Sequence, residues 1–164
     1  MKSSFYKLIA TIGIFTIFSN IYPAVLAESS AILITQKTIV QNPAEDLFNS
    51  ASTKSEAGDL EGAIADYTEA IRLNPNYAKA HNKRGIIRGR NLKDYPAAKA
   101  DFDRAIAIDP NYGDAYYNRA RVREFLKDKQ GAIGDYQKAA DIYQKSGNTN
   151  DYQDAIKHLK ILQR

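Results

Sequence analysis

Few residues in this chain could do chemistry, and their spacing does not assemble them. Of 164 residues two are His and none is Cys. Without thiols there is no disulfide scaffold, thiolate metal site or thiol nucleophile, and an oxidising compartment is permitted but not required. Neither His81 nor His158 has a second His or a Cys at ligand spacing, so no metal set is expected. No phosphate-cradling glycine loop, nucleophile elbow or zinc-binding helix motif occurs. No nucleophile, base and orienting group can be drawn together, so neither catalysis nor a cofactor is expected. The cations are more plentiful. Arg119, Arg121 and Arg123 cannot form one stripe, because alternate residues of a helix are turned by about 200°. Their roles must differ.

The elements that position these groups follow an N-terminal stretch of different character. Lys2 and Lys7 make a positive start, Leu8 to Ile21 is mostly apolar, and Pro23-Ala24-Val25-Leu26-Ala27 ends in small residues, the pattern of a secretory leader with cleavage after Ala27. As a helix the apolar run would reach only ~21 Å at ~1.5 Å per residue, short of the ~30 Å of hydrocarbon that a span must cross. An uncleaved anchor extended through Tyr22 to Leu26 is the alternative. Cleavage would leave an exported chain with no membrane span, destined for a periplasm, a lumen or the extracellular space. Losing Lys2 and Lys7 takes Lys plus Arg from 23 to 21 against 19 acidic residues, so most of the formal charge of +4 does not survive. A near-neutral chain has no electrostatic case for nucleic acid, whose affinity comes mainly from clustered cations on phosphates. Residues 28–42, including the apolar but unperiodic Ala31-Ile32-Leu33-Ile34, read as a linker.

From there the chain repeats itself. Gly62-Ala-Ile-Ala-Asp-Tyr-Thr-Glu-Ala-Ile71, Ala97-Ala-Lys-Ala-Asp-Phe-Asp-Arg-Ala-Ile106 and Gly131-Ala-Ile-Gly-Asp-Tyr-Gln-Lys-Ala-Ala140 are one segment written three times. Ahead of them Ala51, Gly85 and Ala120 share a small position, with Leu47, His81 and Tyr116 four residues earlier. Spacings of 34 and 35 exchange order between the two halves, which places one extra residue in the second repeat, most simply in Arg88 to Leu92, where a widened turn is expected. Each repeat reads as two helices. Asp59, Asp94 and Asp128 stand where a carboxylate would cap the second helix, and Pro96 suits its first turn. Asn74-Pro75 and Asp109-Pro110 end the second helices, because Pro cannot continue a helix. Small residues let the two helices approach, and the ring of Tyr67, Phe102 or Tyr136 fills the space beside them. One hairpin alone buries too little to be stable, so about three must stack.

At these residues the sequence resembles the tetratricopeptide repeat family, over residues 44 to about 146. The resemblance implies an all-α, right-handed superhelical solenoid of three hairpins, at 44–77, 78–112 and 113–146. The departures are informative. Ser50 and Lys54 replace large residues of the first helix, where looser packing is expected. Gln144 stands where the third repeat should have Pro, so its last helix should run on to about Lys145. After Ser146-Gly147-Asn148, a stripe of Tyr152, Ala155, Ile156, Leu159 and Leu162 reads as a capping helix over 149–163, with a partner-binding helix as the alternative.

Arg84 and Arg119 occupy the same repeat position and coexist with Asp66, Asp101 and Asp135 of the second helices, which predicts structural Arg–Asp pairs between helices. His81 takes a packing position. In the family a ligand lies along the concave face lined by first helices. By register this implies a partner-binding surface of Phe48, Asn49 and Ser52, then Lys79, Asn82, Lys83 and Ile86, then Tyr117, Asn118 and Arg121, continuing to Phe125. The family's chaperone adaptors grip a C-terminal carboxylate with Lys, Asn and Arg. Here Phe48, Ser52, Lys83 and Asp114 replace members of that clamp, so a chaperone tail is not the expected ligand. An extended acidic or polar protein segment suits Lys79, Lys83 and Arg121, with Tyr117 as an aromatic anchor. A solvated face without a ligand is the alternative. The function implied is a monomeric exported scaffold for protein–protein interaction, an adaptor or assembly factor. A module that self-associates through the ends of its stack is the other non-catalytic reading.

Overall fold

A computed structural model describes residues 42–164. The leader, its cleavage after Ala27 and the linker as far as Gln41 lie outside the described residues. Among those described there are seven helices and no strand: α1 (Pro43–Glu56), α2 (Leu60–Leu73), α3 (Ala78–Ile86) running into a π-helical turn (Ile87–Asn91), α4 (Tyr95–Ile108), α5 (Gly113–Phe125), α6 (Lys129–Ser146) and α7 (Thr149–Leu162). Consecutive helices pack as hairpins, α1 on α2, α3 on α4 and α5 on α6, with α7 against α6.

Local chemistry sets the boundaries. Asp59, Asp94 and Asp128 accept from the backbone N–H of Gly62, Ala97 and Gly131, satisfying a free donor at the start of each second helix. The residue just before each cap, Gly58, Lys93 or Lys127, has φ of 85°, 57° or 65°. A left-handed residue thus turns each hairpin, at no steric cost in the glycine and at a cost of about 1–2 kcal/mol in the lysines. After α2 and α4 the side chains of Asn74 and Asp109 accept from the backbone two residues on, closing the turn that Pro75 and Pro110 begin. Lacking that proline, α6 continues to Ser146. It ends where Gly147 adopts φ 73° and the N–H of Asn148 returns to the carbonyl of Tyr143.

The core is a chain of small residues and rings. Ala51, Ala63 and Tyr67 are buried together with Ala80 and Ile87 of the next hairpin, Ala98 and Phe102 are buried with Val122, and Ala120 and Tyr136 with Leu159 of α7. Each second-helix ring therefore seals its own hairpin and the first helix of the next. At Gly85 a Cβ would lie 2.8 Å from the Phe102 ring, and at Gly113 2.8 Å from Tyr143, which is why helices meet most closely there.

The extra residue of the second repeat is absorbed as the π turn. Leu92 donates to the carbonyl of Ile87, and Asp94 to that of Arg88. In the other hairpins the capping aspartates, Asp59 and Asp128, donate to Lys54 and Arg123, one residue nearer. The residues on both sides of the insertion keep their repeat positions, so the surplus widens the helix end locally. Asp151, Asp154, Lys157 and Lys160 of α7 are exposed, and its apolar stripe from Tyr152 to Leu162 packs against α5 and α6 at the end of the stack.

Candidate functional site

Two sets of cations arise on the first helices, and the fold separates them. Arg84 of α3 gives a bidentate pair to Asp101 of α4, at 3.1 and 2.6 Å, and its remaining nitrogen reaches Thr68 of the preceding hairpin at 3.0 Å. Arg88, one turn on, adds a third bond to the same carboxylate at 2.8 Å. The third repeat copies this. Arg119 binds Asp135 at 2.8 and 2.7 Å and Asp103 of the preceding hairpin at 2.7 Å, and Arg123 adds 2.9 Å to Asp135. Each motif ties a hairpin shut and rivets it to its predecessor.

Burial alone would push the Asp101 carboxyl up. The His81 imidazole, the Arg84 guanidinium and the charges of Arg84 and Arg88 outweigh it and hold it below the usual value. His81 of α3 is itself buried between the turn at Pro75 and α4, 3.8 Å from Asp101. The predicted Arg–Asp pairs therefore hold at Asp101 and Asp135. Asp66 is a correction: no Arg stands at its partner position, and Ser50 and Lys54 bind it instead, at 2.6 and 2.7 Å. The two residues of α1 that depart from the pattern, Ser50 and Lys54, are thus the ones that grip Asp66.

The ten residues placed on the concave face divide likewise. Phe48 stacks on Tyr77 at 5.0 Å and meets Tyr67 edge-on at 5.5 Å. Asn82 is buried, donating to Tyr112 and accepting from Asn118. Tyr117 donates to Asp154 of α7 at 2.8 Å and packs edge-on against Tyr136 and His158. These three share one repeat position, and in each case the side chain turns onto the following repeat or the cap. Tyr117 is thus taken up by α7 rather than left as an open anchor. Burial, then Asp154, raises its hydroxyl to about 12, so it stays a donor. Ser52 bonds to the Phe48 carbonyl and the Tyr67 hydroxyl. His158 stacks on Tyr136 at 4.9 Å and lies 3.6 Å from Glu124, which accepts from Tyr136. Asn49, Lys79 and Lys83 remain exposed, and Ile86, Asn118 and Arg121 half-buried.

Ile86, Asn118 and Arg121 converge on a pocket of about 320 Å³ between the π turn and α5. Gly85, Gly89, Phe102 and Val122 line it further, and Tyr95 and Phe125 form a parallel pair with ring centroids 4.6 Å apart at 6°. Arg90, Lys93 and Arg121 complete the lining, which contains no carboxylate. None of the three makes an ion pair among the described residues. Sequence register reached Ile86, Asn118, Arg121 and Phe125. It missed Arg90, Lys93 and Tyr95, although the unequal spacings were the available signal that this helix end differs from its counterparts. Among the described residues no group of His, Asp and Glu could hold a metal ion, and no helix is long and apolar enough to cross a membrane.

Stacked helical hairpins closed by a final helix define a helical-repeat protein in class. Family models described as TPR repeat and tetratricopeptide repeat match residues 55–91, 78–112 and 102–157, and the chain belongs to the tetratricopeptide repeat family. A search of curated proteins finds no match. Among solved structures the chain is similar to the TPR2B-domain:pHsp70-complex of yeast Sti1, with TM-score 0.70 and 24% identity over 76% of this chain and 100% of that one. It is also similar to the Arabidopsis OM64 TPR domain, with TM-score 0.64 and 24% identity over 72% and 94%. The first TPR of Spaghetti (RPAP3) bound to HSP90 peptide SRMEEVD gives TM-score 0.61 and 24% identity over the same shares. At these identities the likeness is one of fold.

Proposed function

We propose that this chain is an exported scaffold that binds an acidic, extended segment of another protein along the trough of its first helices, as an adaptor or assembly factor. The observation that carries the reading is the unequal use of cations. Four arginines are consumed by aspartates inside the stack, whereas Lys79, Lys83, Arg90, Lys93 and Arg121 make no ion pair among the described residues. Unneutralised cations along a groove steer and hold carboxylates. A relative of the same fold is held with the acid-rich peptide SRMEEVD, which fits this chemistry. The clamp for a free C-terminus is replaced here by Phe48, Ser52, Lys83 and Asp114, so side-chain carboxylates are the better ligand. Export rests on the leader read from residues 1–27.

Blocked nine-residue peptides rich in Asp and Glu, titrated against the protein at low and physiological salt, test the binding role. The expected result is micromolar affinity that weakens with salt and drops at least tenfold in a Lys83→Glu, Arg121→Glu pair. Equal binding of acidic and Lys-rich peptides would refute it. Light scattering addresses self-association through the stack's ends, with a concentration-independent monomer mass expected. N-terminal sequencing of the exported protein should begin at Glu28, and an intact Met1 would replace export with anchoring.

A further inference from the structure

We infer that the pocket beside the π turn is the trough's anchor site, and that it takes an aromatic side chain presented by an acidic segment of the partner. The inference rests on the trough reading above and names the residue class that segment must contain. Three observations converge. The pocket's volume, about 320 Å³, is ample for an aromatic side chain. Its walls are apolar where they are deep, at Ile86, Phe102 and Val122, and aromatic at the side, where Phe125 stacks on Tyr95 yet remains 56% exposed. An exposed ring already held parallel to another offers an incoming ring an edge or a face at little ordering cost.

The third observation is charge. Arg90, Lys93 and Arg121 surround this apolar space without a carboxylate in the lining, although aspartates neutralise Arg88 and Arg123, only two residues along the chain. Carboxylates flanking the inserted ring would find them, and guanidinium groups also favour aromatic faces. The pocket lies beside the insertion. The π turn that absorbs the surplus residue carries Arg90, and Gly89 lets that turn pack closely on its neighbours, since a Cβ there would meet Ala98 at 3.2 Å and Val122 at 3.3 Å. Ile86, Asn118 and Arg121 belong both to the pocket and to the trough, so a segment lying along the first helices passes its mouth.

The test uses acetylated, amidated nine-residue peptides of Glu, Asp and Gly with a central Phe, Leu, Ala or Lys, followed by fluorescence anisotropy on the whole protein and on Phe125→Ala. On the unaltered protein the Phe peptide should bind about tenfold more tightly than the Ala peptide, and on Phe125→Ala that advantage should shrink below about twofold. Arg90→Glu, at an exposed position, should weaken every acidic peptide about tenfold and preserve the preference for Phe over Ala. A Phe advantage unchanged by Phe125→Ala, or a Leu peptide binding as well as the Phe peptide, would overturn the anchor assignment and leave the trough reading in place. Binding of these peptides that neither weakens with salt nor changes in Arg90→Glu would bring down the trough reading itself.

Discussion

Arg84 and Arg121 are both guanidiniums on first helices, one in the seam between α3 and α4 and one in the lining of the pocket beside the π turn. Arg84 is closed off by two oxygens of Asp101 and by Thr68, whereas Arg121 lines a pocket and meets no carboxylate. The helix offers the same cation at both places. What differs is the second helix, which puts an aspartate opposite one position and nothing opposite the other. The comparison teaches that basic composition alone does not mark a binding face in a repeat array. The residues worth attention are the cations that remain after the structural pairs are subtracted.

The largest expected effect follows from cutting the seam. Asp101→Ala leaves Arg84 and Arg88 facing each other in a half-dry interface, and should lower the unfolding free energy by about 3 kcal/mol. Asp66→Ala, whose partner Lys54 is 40% exposed, should cost only about 0.5–1 kcal/mol. Urea unfolding of the two variants sharpens the comparison, and equal losses would break it.

A smaller effect concerns acid. The native Asp101 carboxyl binds its proton less readily than it does in the unfolded chain. Its contribution is therefore fully present above the ordinary Asp value near 3.9 and is lost as pH falls through the lower native value. Unfolding measured from about pH 5 downward should show the native protein losing stability more steeply below about pH 4 than Asp101→Asn, which lacks that proton. Parallel curves would place the acid sensitivity elsewhere.

The smallest effect lies at the hairpin turns. Lys127 holds φ 65° where the first repeat uses Gly58, so Lys127→Gly should gain about 0.5 kcal/mol, the relief of left-handed strain less the entropy that glycine adds to the unfolded chain. Thermal melts would check it, and a loss would mean that the Lys127 side chain contributes more than its strain costs.

Most of the fold was legible because the repeat writes it three times. The positions of Ala63, Ala98 and Ala132, the capping aspartates and the surplus residue near Arg88 all followed from register, and so did the existence of interhelical Arg–Asp pairs at Arg84 and Arg119. Register became less informative where one position has more than one neighbour to choose from. Phe48, Asn82 and Tyr117 face inward by their place in the repeat, but whether such a side chain stands in the trough or turns onto the next hairpin depends on the angle between hairpins, which no local pattern encodes. Asp66 shows the opposite failure. Its partners Ser50 and Lys54 read as departures from the family pattern, yet the spacing that brings Arg119 and Arg123 to Asp135 brings them to Asp66. Lys93 and Tyr95 escaped notice because their roles depend on how the π turn redirects the chain.

The most direct measurement is urea unfolding of Arg84→Glu and Arg121→Glu side by side. If the seam consumes its cations for structure and the trough leaves them free, Arg84→Glu should lose at least about 3 kcal/mol, and Arg121→Glu should stay within about 0.5 kcal/mol of the unaltered protein. Equal destabilisation of the two would mean that Arg121 is a structural residue as well, and that the split between consumed and free arginines does not hold.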